Sequence, residues 1–315
     1  MKDKKIGFIG LGNVGSKLAN NLLLDGFTLY IYDLDKQTSK KLIKKGSILC
    51  DSVSEIISNT TIFITCLPSP NSINDVIKEA IPFMTEKHLW IEMSTTDEGE
   101  MKRLSKLCEN KGTQTLEAPI TGGEHRAETG NIAVLAAGKR KNFNRALPLL
   151  SSMGYEILYC GDLGNASTLK VVTNFLASAN LLALGEALMV CKKYGIDLNT
   201  AYHGIKISSG NSFVHNTESQ LILNGSFDIG FTMDLVCKDV GLFDKLTNKF
   251  NIPADISKLI KKIFNEGLKK YGKKSFSTSI IRRLEEKCNE NLRNLNFPNK
   301  LVDKEKRKKG FEIKY

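Results

Sequence analysis

The sequence predicts an α/β domain with a mostly parallel sheet, followed by an all-α domain and joined to it by one long helix. Three observations predict this. Short β-branched and aromatic runs alternate with amphipathic stretches through the first half of the chain, as in a parallel sheet covered by helices on both faces. A glycine-rich turn, Gly10-Leu11-Gly12-Asn13-Val14-Gly15, follows the first of those runs and opens a helical stretch. After Tyr159 the alternation stops, and the remaining apolar patterns have helical period.

In chain order, strands are expected at Lys5–Ile9, Thr28–Tyr32, Ile62–Cys66, Leu89–Met93, Thr115–Glu117 and Ile132–Ala136. Between them, helices are expected at Gly12–Asp25, Thr38–Lys45, Val53–Ser58, Ser69–Glu79, Thr96–Lys111 and Lys141–Ser152. Ala166–Tyr194 reads as one apolar helix ended by Gly195. Asn199–Ile207, Phe213–Asn224, Asp234–Phe250, Asp255–Tyr271 and Phe276–Leu292 follow as helices, with no strand among them. The boundary falls near residues 160–166. This gives a nucleotide-binding domain at 1–163, a helical substrate and oligomerisation domain at 164–292, and a basic tail at 293–315.

A chain of 315 residues with 41% hydrophobic and 25% charged residues is an ordinary soluble protein, long enough for two domains. No apolar run free of charges reaches membrane-spanning length. The start, Met1-Lys2-Asp3-Lys4-Lys5, has a positive flank without a signal-peptide core. A cytoplasmic protein is expected, with no membrane partner. The seven cysteines contain no C-x-x-C pair and read as reduced thiols, and the four histidines are dispersed, so no metal site is expected. Net charge is +11, and residues 300–315 carry seven Lys/Arg against three acids. No recognition motif or aromatic interleaving accompanies that tail, so no nucleic acid is expected.

The chemistry is carried at a nucleotide-binding end and a reacting end of the sequence. In Gly10-Leu11-Gly12-Asn13-Val14-Gly15 the first glycine allows the tight turn, the second lets backbone approach a pyrophosphate and the third lets helix pack on strand. Asp33 ends the second strand, 18 residues past Gly15. An acid there accepts hydrogen bonds from adenosine ribose hydroxyls and repels a 2′-phosphate, which favours NAD, with NADP possible because Lys36 and Lys40 are close by. Leu67-Pro68 and Ser94-Thr95 follow further strands, at the edge where ligands bind in open parallel sheets. Taken singly, each of these also suits a simple turn or cap.

Glu117-Ala118-Pro119-Ile120-Thr121-Gly122-Gly123 is a small-residue loop after another strand. Its backbone N–H groups suit an anion such as a carboxylate, or an ordinary Gly-Gly turn. Lys170 and Asn174 lie four apart in the apolar helix, on one face. Alone, Lys170 reads as a snorkelling lysine. Downstream of a nucleotide fold, it reads as the general acid/base acting on the substrate oxygen, with Asn174 holding the substrate or the lysine.

Together these motifs resemble the β-hydroxyacid dehydrogenases, the family of 3-hydroxyisobutyrate dehydrogenase, tartronate semialdehyde reductase and the glyoxylate/succinic semialdehyde reductases. The resemblance covers residues 4 to about 285. It rests on Gly10–Gly15, Ala118–Gly123, Gly161-Asp162-Leu163-Gly164 leading into Lys170 and Asn174, then Phe231 and Lys238-Asp239. It implies a Rossmann-like N-terminal domain, a homodimer or homotetramer built on the helical domains, and a carboxylate-bearing aldehyde or alcohol substrate. It also implies that Lys170 is catalytic with Asn174 assisting, that Thr121, Gly122 and Gly123 bind substrate, and that Phe231, Lys238 and Asp239 lie near the cofactor.

This chain departs from the family pattern in three places. Thr121 stands where Ser is usual, Thr173 where Asn or His is common, and Arg126, beside His125, where Gly is common. Arg126 is therefore a candidate contact for a second anionic group, or an exposed charge pointing away. An NADPH-preferring glyoxylate/succinic semialdehyde-type reductase is the alternative within the class. A decarboxylating 6-phosphogluconate-type enzyme is disfavoured by the short C-terminal half. An imine reductase is disfavoured by Lys170, and so is a non-catalytic nucleotide-binding scaffold.

Overall fold

The computed structural model describes residues 5–315; the basic flank Met1-Lys2-Asp3-Lys4 lies outside the described residues. The chain divides into two compact units. One holds the residues up to Lys170 together with Asp303–Tyr315, and the other holds Val171–Val302.

In the first unit, strands and helices alternate: β1 (Lys5–Ile9), α1 (Gly15–Leu24), β2 (Thr28–Tyr32), α2 (Lys36–Ile43), β3 (Ile48–Leu49), α3 (Val53–Asn59), β4 (Ile62–Thr65), α4 (Pro70–Ala80), β5 (Leu89–Glu92), α5 (Glu98–Glu109) and β6 (Gln114–Glu117). These six strands form one sheet in the order β3-β2-β1-β4-β5-β6, parallel throughout. The order reverses between β1 and β4, the switch point at which this topology opens a crevice. Successive strand residues enter different cores: Ile62 and Ile64 of β4 pack with Leu89 and Ile91 of β5, while Phe63 and Trp90 pack in a separate cluster. Both faces are thus buried, which is why these strands read as unbroken apolar runs. Helices α2 to α5 start where side chains satisfy their first N–H groups: Asp35 caps α2, Ser52 α3, Ser69 α4 and Asp97 α5.

A second, smaller sheet follows: β7 (Ile120–Thr121), then α6 (Glu124–Thr129), β8 (Ala133–Ala136), α7 (Arg140–Met153) and β9 (Glu156–Tyr159). Its order is β10-β9-β8-β7, where β10 (Phe311–Glu312) is supplied by the end of the chain and pairs parallel to β9. The expectation of no strand beyond Tyr159 is therefore corrected. A two-residue strand has no readable period, and the basic composition around it reads as solvated tail. The segment is held by Gly310 N to Ser151 O (3.0 Å), Phe311 N to Tyr155 O (2.9 Å) and Ile313 N to Ile157 O (2.8 Å). Arg307 forks onto both oxygens of Asp25 (2.7 and 2.9 Å) and reaches the carbonyls of Asn21 and Ser152.

Helix α8 (Asn165–Tyr194) begins in the first unit. The second unit contains the rest of it, with α9 (Leu198–Lys206), α10 (Phe213–Asn224), α11 (Met233–Lys249), α12 (Asp255–Tyr271) and α13 (Arg282–Cys288). Leu181, Leu184 and Leu188 of α8 pack with Val236, Val240, Ile260, Phe264 and Ile281. Lys170 and Glu186 limit the charge-free run of α8. By length and composition alone it is still apolar enough to cross a membrane, with mean hydropathy 1.4 over 18 residues and 39% of that window buried. The helix expected at Phe276–Leu292 is corrected to a 3-10 turn at Ser277–Ile281 followed by α13, which ends at Asn289 in the left-handed region (φ 48°). Ser277 N donates to Phe231 O, which draws this start onto the loop before α11.

Candidate active site

The glycine-rich turn occupies the gap between β1 and α1, and the helix starts at Gly15 rather than Gly12. Gly10 has φ +95°, and a Cβ there would lie 2.3 Å from the carbonyl oxygen of Cys66; one on Gly15 would lie 2.1 Å from that of Gly10. Neither site tolerates a side chain. A Cβ on Gly12 would meet nothing within 4 Å, so the turn is open on that side. Val14, the N-cap of α1, makes no side-chain cap, and no acid occupies the first turn. An uncapped helix start behind an open glycine turn fits a cofactor pyrophosphate. Asp33 is pinned at the end of β2 by Leu11 N (2.6 Å, to Oδ2) and Asp35 N (2.8 Å, to Oδ1). Each carboxylate oxygen keeps a second lone pair for a ribose hydroxyl.

Leu67, Pro68 and Thr95 sit just past β4 and β5, on the same sheet edge as the glycine turn. A buried network with no signature in the sequence holds them there. Ser94 Oγ accepts from Leu67 N (2.7 Å), and Ser94 N donates to Glu92 Oε1 (2.5 Å). The other oxygen of Glu92 bonds the hydroxyl of Thr65, which also accepts from Trp90 Nε1 (2.7 Å). Glu92 is 1% exposed. Burial first, and the nearby Glu117 carboxylate last, push its carboxyl up to about 7 against the hydrogen bonds that lower it.

Glu117 pairs with Glu92 in strand register, and it too is fully buried. It accepts hydrogen bonds from Gly164 N (2.5 Å), Ala166 N (3.0 Å), Ser167 N (3.2 Å) and the Ser167 hydroxyl. Burial holds its carboxyl above the ordinary range, opposed by those same donors. Each acid closes a short strand, apolar before Glu92 (Leu89-Trp90-Ile91) but mixed before Glu117 (Gln114-Thr115-Leu116). Lys170 follows Ser167 by one turn of α8 and is 8% exposed.

Directly after Glu117 comes the small-residue loop. Thr121 lies in β7, paired with Ala133 of β8. Gly122 (φ +125°) and Gly123 (φ +87°) adopt backbone that favours glycine. Arg126, in α6, places its Cδ 3.6 Å from where a Cβ on Gly122 would be. Its Nε is buried with no hydrogen-bond partner among the described residues. The His125 imidazole is held below its usual range by burial, with the Arg126 charge adding to it. A cavity of about 560 Å3 in this unit lies elsewhere, lined by Glu109, Lys139, Arg140 and Asp162 among others, none of them a candidate residue.

In the helical unit, Asn174 Nδ2 donates to Asp239 Oδ2 (2.5 Å). Lys238 Nζ lies 2.7 Å from Asp239 Oδ1, an ion pair without hydrogen-bond alignment. The structure therefore brings Asn174, Lys238 and Asp239 together. Phe231 stands in the loop before α11, packed against the helical core. All seven thiols are unpaired, and burial pushes Cys66 and Cys108 up to about 12, which keeps both as neutral thiols.

Residues 5–161 match the family model of the NAD binding domain of 6-phosphogluconate dehydrogenase. Residues 164–284 match that described as NAD-binding of NADP-dependent 3-hydroxyisobutyrate dehydrogenase. The 2-(hydroxymethyl)glutarate dehydrogenase of Eubacterium barkeri is 30% identical over 270 residues, covering 84% of this chain and 90% of its own. The mitochondrial 3-hydroxyisobutyrate dehydrogenase of Drosophila melanogaster is 29% identical over 284 residues, covering 87% of each. The solved structure of Mycobacterium tuberculosis 3-hydroxyisobutyrate dehydrogenase with L-serine shares the fold, with TM-score 0.81, 23% identity, and 89% of this chain and 98% of that one covered. With two family models spanning both halves and a relative at this identity, the chain belongs to the β-hydroxyacid dehydrogenase family, as an NAD(P)-binding oxidoreductase.

Proposed function

We propose that this protein is an NAD-dependent dehydrogenase of a short 3-hydroxy acid, or the reductase of the matching semialdehyde, with Lys170 as general acid/base. The observation that carries this is a buried lysine one turn into a helix whose first turn is tied to the root of the Ala118–Gly123 loop. The nicotinamide cofactor supplies or receives the hydride. Thr121 and the N–H groups of Gly122 and Gly123 hold the substrate carboxylate. In reduction the Lys170 ammonium gives a proton to the substrate oxygen as hydride reaches the carbonyl carbon. In oxidation the neutral amine takes the hydroxyl proton as hydride departs. Asn174, oriented by Asp239, is the amide that assists. Asp33 supports NAD over NADP through repulsion of a 2′-phosphate.

The test is absorbance of reduced nicotinamide with NADH and NADPH against short semialdehydes, and with the oxidised cofactors against 3-hydroxy acids. Turnover is expected with NAD(H), and Lys170→Ala should lower it by about 10²–10⁴-fold. An unaffected Lys170→Ala variant would remove the mechanism, while turnover with NADPH alone would remove the Asp33 argument.

Arg126 supports a finer reading, in which the substrate carries a second anionic group. Its Nε is buried and unpaired beside Gly122, and the Eubacterium barkeri relative is named for a glutarate, a dicarboxylate. Arg126→Gly should lower the ratio of kcat/KM for dianionic over monoanionic substrates by about tenfold or more, the range of a charge-assisted hydrogen bond. A ratio that stays constant would sink this reading.

A further inference from the structure

We infer that Glu117 is a positioning residue for the reaction: one side chain ties the root of the substrate loop to the first turn of the helix that carries Lys170. The inference rests on the dehydrogenase reading above and deepens it.

The tie is fixed at both ends. On the strand side, Glu117 N donates to Ala137 O (3.1 Å) and Ala137 N to Glu117 O (2.9 Å). Ala118 N donates to Glu92 O (2.6 Å), and Pro119 O accepts from Leu135 N (2.9 Å). The backbone from which Thr121, Gly122 and Gly123 extend is therefore held by strands on either side. On the helix side, the carboxylate takes the N–H groups of Gly164, Ala166 and Ser167 and the Ser167 hydroxyl. Those N–H groups have no partner within their own helix.

Helices α2 to α5 are capped by the residue just before them. Such a cap ends a helix without fixing it against anything else. For α8, the local residue Asn165 turns its side chain back to Cys160 O (2.8 Å), and the cap comes from a strand 47 residues away. The start of α8 therefore cannot shift without moving the strand that leads into the loop. Lys170 lies three residues past Ser167, a rise of about 4.5 Å on the helix, so its backbone is set by the same four hydrogen bonds. Glu98 and Lys102 of α5, themselves an ion pair, close over Gly164: a Cβ there would lie 2.7 Å from Lys102 Cε.

The experiment uses the full chain carrying Glu117→Gln or Glu117→Leu. Gln keeps one acceptor oxygen and turns its amide against the Ser167 N–H, while Leu keeps bulk and loses all four hydrogen bonds. Rates are normalised to the fraction that binds cofactor. The expected result is a fall in kcat on the order of 10–100-fold for Gln and further for Leu, the scale of a displaced catalytic group, with cofactor KM within about twofold. A merely structural cap would lower the melting temperature and leave the normalised kcat within twofold, which would overturn the inference. If the Leu variant fails to fold, the Gln variant decides alone.

If the parent turns over no substrate, or Lys170→Ala changes nothing, it is the dehydrogenase reading that falls. Hydrogen exchange of the 164–170 amides then judges the tie separately. Exchange accelerated by about tenfold or more in Glu117→Gln upholds it, and unchanged exchange overturns it.

Discussion

Helix α1 begins at Gly15 behind Val14, whose side chain offers no cap, whereas helix α8 begins against the buried carboxylate of Glu117. Both starts stand in the α/β unit, and both present the same partial positive charge to whatever lies in front of them. In α8 the protein supplies the anion itself and uses it to lock a helix to a strand. In α1 no side chain fills that place, which lies behind a glycine turn with space on one side. The difference teaches that a helix start is a shared resource. Filled from within it gives rigidity near Lys170, the proposed general acid/base, and left open it suits a phosphate. Beside Glu117, Glu92 is a third case, a buried carboxylate that receives one backbone N–H, from Ser94, and no helix start.

Glu92 measures what the absence of a helix start costs. Its folded value of about 7 lies above the 4.5 of the free side chain. The penalty is therefore absent below pH 4.5, grows as the unfolded chain ionises first, and is complete above pH 7. Glu92→Gln presents an oxygen to Ser94 N–H and a donor to Thr65, as the protonated acid does. It should raise unfolding free energy by roughly 2–3 kcal/mol at pH 8 and by little at pH 4.5. Denaturant curves at the two pH values check this, and equal shifts at both would show that the charge of Glu92 is not the cause.

Val14→Asp breaks the comparison from the other side, by placing an internal anion at the start of α1. Cofactor affinity should fall by about tenfold, the scale of a nearby like charge, and the loss should shrink in high salt. No gain in stability is expected, because Val14 has helical rather than extended backbone (φ −96°, ψ −45°). Titration of cofactor fluorescence decides; unchanged affinity would mean that the phosphates do not meet this helix end.

How much of this was readable in the sequence follows from how local each cause is. The glycine turn was legible because its steric demands lie within a few residues, as at Gly10 and Gly15. The central strands were legible because both faces are buried, as in Leu89–Glu92. Strands β3, β7 and β10 have two residues each and carry no period. Helix α13 was overrun because Phe276–Leu292 keeps helical spacing through a 3-10 turn whose start is set by Phe231. The roles of Glu92 and Glu117 were not legible. An acid at a strand end looks like a turn residue until its partners, 27 and 47 residues away, come into place.

The closing segment has a consequence for the order in which the molecule is made. Strand β9 is finished by Tyr159, yet its outer partner is β10 at Phe311–Glu312, and Arg307 reaches a carbonyl 155 residues earlier. The helical unit is thus an insertion into the α/β unit. During synthesis the smaller sheet must wait with an open edge while Val171–Val302 is made. An open edge is where strands of other chains pair wrongly, and contacts so distant in sequence form slowly. Chaperone dependence should therefore be sought at β10 rather than at β1.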